Sequence, residues 1–186
     1  MRGLSPHAHI SPAAPDPDPG REPVALPEPG SRAPGLTIAD EELVDANLAN
    51  VDARGAVLRR AVLRRCRLTG LLLTEGTLRD VVLAECRIDL ASFAACKLEQ
   101  VVFEDCRLES ASFQEARLRA VRFSRCDLSD ADLSGARFER SELRGCTLDG
   151  ARGAHSLRGA AMPLSDVVAS AGTLADALGI RILDAG

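Results

Sequence analysis

The chain has 186 residues, 46% of them apolar, with five Phe and neither Trp nor Tyr; this is length for one domain, but a globular core of that size would use more aromatics. A net charge of -4 singles out neither a nucleic-acid nor a membrane partner. No apolar run reaches the length of a membrane span and the start MRGLSPHAHI lacks the apolar core of a signal peptide, so we expect no membrane partner and a cytoplasmic location in which thiols stay reduced.

In chain order, residues 1–38 come first and hold nine of the ten prolines, together with His7 and His9. That composition buries too little surface to offset the entropy of ordering, so it predicts a disordered tail with both histidines solvated. Residues 39–45 are expected to form an N-terminal cap. From residue 46 a five-residue period takes over. Leu, Ile or Phe stands at 48 and at every fifth position from 58 to 148, Ala53 being the exception, and a small residue, mostly Ala, Cys or Val, stands two positions before each. An apolar pair two residues apart lies on one side of an extended strand and leaves three residues to face solvent or turn a corner. A helix does not fit, because five residues advance it by about 500° and the stripe would wind around it. A short strand plus a corner buries its apolar side only when copies stack.

A longer period counts the sides. Cys66, Cys86, Cys106, Cys126 and Cys146 recur at every twentieth position, and Phe93 and Phe113 share that spacing with Phe103 and Phe123. Twenty residues are four units, so like residues recur once per turn of a four-sided coil. The expectation is an all-β parallel solenoid of about five coils over 46–158, roughly 25 Å long at ~4.8 Å per coil. Units such as ANLAN (46–50), CDLSD (126–130), ADLSG (131–135) and CTLDG (146–150) resemble the pentapeptide-repeat family, whose unit is a small residue, Asp or Asn, Leu or Phe, then two variable residues. The resemblance implies a right-handed quadrilateral β-helix. At the position before the centre the chain departs from that pattern, with Arg67, Arg87, Arg107, Arg117, Arg122 and Arg137 or Val57, Val62, Val82 and Val102. These side chains point outward, so the fold tolerates them.

The cysteines show no C-x-x-C pair, and stacked parallel side chains sit slightly beyond bridging range. They are expected to be inert inward residues that, with the four Phe, form structural ladders. His155 stands alone where the repeat fails, and the neighbouring carboxylates Asp130 and Asp132 are expected on a solvated face. We therefore expect no catalytic residue, metal, cofactor or small-molecule substrate.

Outward residues carry the functional expectations. Arg59, Arg60, Arg64 and Arg65 make the first coil basic against a lone Asp52, which suits a solvated end or else an acidic partner or nucleic acid. Ladder pairs are expected between Arg65 and Glu85 and between Asp105 and Arg125. Val62, Val82 and Val102 form an outward apolar stripe, with Leu72 expected on an adjoining face. The stripe reflects strand propensity, a partner surface or cover by the segment before residue 46. Within the cysteine-bearing stretch 85–113, Arg87, Lys97, Val102 and Arg107 are the outward set to test.

After Ala151 the period slips, and 159–186 is expected to form a helical cap. Ser165 would cap a first helix, and Thr173 with Asp176 would form a capping box for a second that stops at Gly179. Val167, Val168, Leu174 and Leu178 would seal the last coil or, as in similar family members, form a homodimer. The favoured function is a non-catalytic scaffold for an unidentified protein partner. The alternative comes from the resemblance, since a bacterial subgroup mimics B-form DNA, binds DNA gyrase and protects against quinolones. Residues 71–150 carry 15 acidic and 11 basic side chains, however, where four coils matching duplex DNA would need roughly eleven net negative charges.

Overall fold

The computed structural model describes residues 10–16, 22 and 24–183; the tail positions His7 and His9 lie outside them. The chain winds as a four-sided parallel β-solenoid. Strands β1 (Thr37–Ala39), β2 (Glu42–Val44), β3 (Val57–Arg64), β4 (Thr77–Ala84), β5 (Lys97–Glu104), β6 (Arg117–Ser124), β7 (Arg137–Glu139) and β8 (Glu142–Arg144) stack on two neighbouring sides in the order β1-β3-β4-β5-β6-β7, with β2 on β3 and β8 on β6. Each residue pairs with the one a full coil further along the chain, as in Leu58↔Leu78 and Leu78↔Leu98. The other two sides pair through single bridges such as Arg67↔Arg87 and Ser92↔Ser112.

The corners explain the period of five. Every fifth residue from Gly30 to Gly150 has a positive φ, and eighteen of these residues are not glycine. A left-handed residue costs an L side chain on the order of 1 kcal/mol or more. Here each bend delivers its backbone to the next coil, where Asn50 N–H donates to Thr69 O at 2.8 Å and Leu90 N–H to Glu109 O at 2.9 Å. Asp, Asn and Gly, which tolerate this conformation, recur at the corners.

Inside, small residues and centres form one continuous core. Phe93 stacks on Phe113 with centroids 4.9 Å apart and Phe103 on Phe123 at 4.8 Å, and the two pairs meet edge to face at 5.6–6.1 Å. The interplanar angles of 4° within each pair follow from strict register, which repeats the same rotamer one coil on.

Three expectations need correction. Residues 28–45 are neither tail nor separate cap, because Gly30 N–H donates to Ala49 O, Ala33 N–H to Asp52 O and Asp40 N–H to Arg59 O. Ile38 is 1% exposed in the core. Pro34 and Gly35 fall on a turn, the place where proline's fixed φ and glycine's positive φ fit a repeat instead of breaking it. Leu72 is not on a side adjoining the valines. It bridges Asp52 and Ser92, two units and therefore two sides away from Val62, on the opposite wall.

The C-terminal cap is also built differently. A 3-10 turn (Ala154–Leu157) precedes α1 (Leu164–Ala169) and α2 (Ala171–Ala177). Neither helix has a side-chain cap; α1 starts after Pro163, and Thr173 instead donates its hydroxyl to Leu148 O at 3.0 Å, tying α2 to the last coil. Asp166 accepts the Gly145 N–H at 2.5 Å. Leu157 closes the core and Leu174, Ala177, Ala160 and Met162 pack on it. Val167, Val168 and Leu178 are exposed, because α1 packs no side chain on the core and α2 packs only Leu174 and Ala177. Gly179, at φ 71, ends the helical run as expected.

Candidate functional site

The thiols are committed to backbone. Cys86 donates to Leu63 O at 3.4 Å and Ala84 O at 3.3 Å, Cys106 to Leu83 O and Glu104 O, Cys126 to Phe103 O and Ser124 O, and Cys96 to Leu73 O at 3.1 Å. Ser141 makes the same pair of bonds, to Leu118 O and Glu139 O, so any small donor serves at this position. All six thiols are free and buried. Burial pushes Cys96 up to about 11. The stacked thiols of Cys126 and Cys86, with burial, push Cys106 up as well. As a neutral thiol, Cys96 is a poor nucleophile and a poor metal ligand.

Outward charge is arranged in columns down each side. The arginines expected to make a basic end are instead neutralised by the added first coil. Arg60 and Arg65 form two-pronged pairs with Asp40 and Asp45, Arg64 reaches Glu42 at 3.1 Å and Arg59 reaches Asp40 at 3.8 Å. Their partners stand in residues 40–45, which the repeat pattern alone leaves outside the rod. Arg65 thus takes Asp45 rather than Glu85 as its close partner, whereas Asp105 and Arg125 pair as expected at 2.7 Å through both prongs. Arg107 is held by Asp89 and Glu109. On the wall opposite Arg107, Lys97, Arg117 and Arg137 stack in register and are exposed, without an ion-pair partner among the described residues.

The valine side differs from the other three. Val62, Val82 and Val102 stack in register on β3, β4 and β5, and the column ends at Arg122 and Glu142, whose side chains pair. Beside it runs a corner column, Asp40, Arg60, Asp80, Gln100, Ala120 and Arg140, all at positive φ. Residues 10–16, ISPAAPD, lie on these two columns. Ile10, 4% exposed, packs with Val102 and Ala120. Ala13 N–H donates to Asp80 Oδ1 at 3.2 Å. The Asp16 backbone lies near the Asp40 carboxylate and helps to hold it below the usual carboxylate range, and the Asp16 charge also acts on Arg60. Of the three sources named for the stripe, cover by the preceding chain is seen at Val102, on which Ile10 packs. The pointer in the sequence is Ile10, the large apolar residue that opens the proline-punctuated run ISPAAPD.

Set against known proteins, the pentapeptide repeat region family matches residues 56–131 and 77–152. No curated protein matches the chain. Among solved structures, the pentapeptide repeat protein HetL of the cyanobacterium Nostoc, involved in heterocyst differentiation regulation, is similar at 23% identity and a TM-score of 0.50, over 72% of this chain and 70% of HetL. QnrB1, a plasmid-mediated fluoroquinolone resistance protein, is similar at 17% identity and a TM-score of 0.45, over 83% of this chain and 96% of QnrB1. The likeness to HetL is one of fold alone.

Proposed function

The chain belongs to the pentapeptide-repeat family, and we propose on that premise that it is a non-catalytic scaffold whose solenoid walls bind protein. The observation that carries this reading is the valine side, which already holds an extended peptide by an apolar anchor, a backbone hydrogen bond and charged contacts. A stiff rod with stacked columns at ~4.8 Å offers a ruled surface, and each wall has its own chemistry. Exposed Lys97, Arg117 and Arg137 add a cationic strip suited to an acidic partner. A reducing, cytoplasmic setting suits the six free thiols.

The DNA-mimic reading, with DNA gyrase as partner, is weaker on charge. Residues 30–158, the full rod, carry 20 acidic and 20 basic side chains, and ten of the acidic ones are held in ion pairs between coils. Two assays separate the readings. Affinity capture from the native cell with the purified chain should recover a protein that Val62→Asp with Val82→Asp fails to recover; retention by that double variant removes the valine wall from the function. Gyrase supercoiling should be unaffected by the chain, and inhibition at low micromolar concentration would replace the scaffold reading by mimicry.

A further inference from the structure

The seated segment and the rod beneath it share a spacing. Ile10 contacts the level of Ala120, Ala13 the level of Asp80 and Asp16 the level of Asp40. Each step is three residues along the peptide and two coils along the rod. Two coils rise by about 9.6 Å. Three residues of polyproline II rise by about 9.3 Å and complete one turn, so residues three apart return to the same side. Over six residues and four coils the mismatch stays below about 1 Å, and the peptide keeps register without strain.

Local sequence favours that extended form. Pro12 and Pro15 fix their own φ, and Ser11 and Ala14, each preceding a proline, are held away from the helical region. Pro12 and Pro15 are half-buried while Ser11, Ala13, Ala14 and Asp16 are exposed, so the prolines lie against the rod and Ala13 reaches it through its backbone N–H. The rod contributes a notch. In the corner column, Ala120 stands where Arg60, Asp80, Gln100 and Arg140 stand on other levels, and it leaves the space that Ile10 fills. Gln100 lies between the Asp80 and Ala120 levels, and its buried Oε1 has no hydrogen-bond partner among the described residues. The resident peptide places a proline, which has no N–H, near the middle of this interval, so it leaves an acceptor that another peptide could use.

We propose that the side carrying Val62, Val82, Val102 and the corner column from Asp40 to Ala120 is a docking strip for extended, proline-punctuated peptides of a protein partner. Residues 10–16 are its resident occupant. Its ligand has a β-branched anchor for the Ala120 notch, a free backbone N–H three residues on for Asp80, and an acidic residue three further for Arg60. This deepens the scaffold reading and rests on it. Tethering gives the resident an effective concentration on the order of millimolar, so an external ligand must exceed it or act when it is released.

The test uses the full chain and a fluorescein-labelled peptide of sequence ISPAAPD, read by anisotropy. Ile10→Asp should release the resident and let the peptide bind at least tenfold more tightly than to the unmodified chain. Adding Ala120→Arg, a residue this column already carries at 60 and 140, should fill the notch and remove that gain while far-UV circular dichroism stays unchanged. A peptide lengthened by one Gly between Pro12 and Ala13 should lose at least tenfold in affinity. Absence of binding to the Ile10→Asp chain overturns the proposal, and so does equal binding to all three chains. The scaffold reading stands or falls separately, on the capture of a partner sensitive to the valine wall.

Discussion

At its N-terminal end the solenoid is finished by the repeat itself, with Ile38 and Leu43 in the inward column and Asp40 and Asp45 at the corners, whereas at its C-terminal end the repeat stops at Gly150 and a 3-10 turn with two short helices covers the last coil. The first solution pairs backbone with backbone and acid with arginine. Its prolines offer no N–H to an incoming strand, which protects an edge that would otherwise invite association. The second solution covers side chains but leaves Leu164, Val168, Leu178, Ile180, Ile182 and Leu183 exposed. One end is closed by continuity, and the other retains apolar surface that suits a second copy of the chain.

The contrast breaks first, and by the most, at Ile38. Ile38→Ala should destabilise the chain by about 2–5 kcal/mol, like Leu157→Ala at the other end, in denaturant unfolding followed by circular dichroism. A loss at Ile38 no larger than that of an ordinary surface substitution, about 0.5 kcal/mol, would return residues 28–45 to a loose tail. Acid should act next, through the N-terminal coils. The Arg54 guanidinium, hydrogen-bonded to Asp52, holds that carboxyl down from 3.8 to about 2. The unfolded chain therefore takes up the proton first as pH falls. Stability supplied by this pair is complete above pH 3.8 and is lost as pH falls towards about 2. Thermal midpoints across that range should fall less steeply for Asp52→Asn than for the unmodified chain. The smallest effect on stability is expected at the C-terminal end, where Leu178→Ser with Leu183→Ser should change it by less than about 0.5 kcal/mol. Sedimentation equilibrium of the same variant should show loss of dimer if that surface joins two copies.

Most of the rod is legible in residues 46–150 because one chemical requirement, an inward pair every five residues, recurs without interruption. Like-on-like stacking then makes the longer period visible through the cysteines and phenylalanines, and the stacked rings bear this out. The first coil escapes that reading although Ile38 and Leu43 keep the same phase and Asp40 and Asp45 stand one full coil before Arg60 and Arg65. Proline density obscures it, since composition cannot distinguish prolines that sit at corners from prolines that prevent order. The basic end is misjudged for the same reason, as its counter-charges fall in the stretch assigned to the tail and cap. Leu72 shows a different limit. Burial pattern separates inside from outside, but assignment to a wall requires the corners to be counted. At the C-terminus the short helices obey tertiary contacts, such as Thr173 on Leu148 O, over local capping rules.

Residues 10–16 also bear on how the rod comes apart. In a solenoid each coil touches only its neighbours, so fraying can start at either end and proceed coil by coil, with little penalty shared by the remainder. A segment anchored at the Ala120 level and held again at the Asp80 and Asp40 levels joins coils that do not touch one another. Loosening the first coil then disturbs the third and fifth as well, which makes unfolding of the rod between the Asp40 and Ala120 levels more nearly all-or-none. Release of the same seven residues would lower that cooperativity and allow the N-terminal coils to breathe independently.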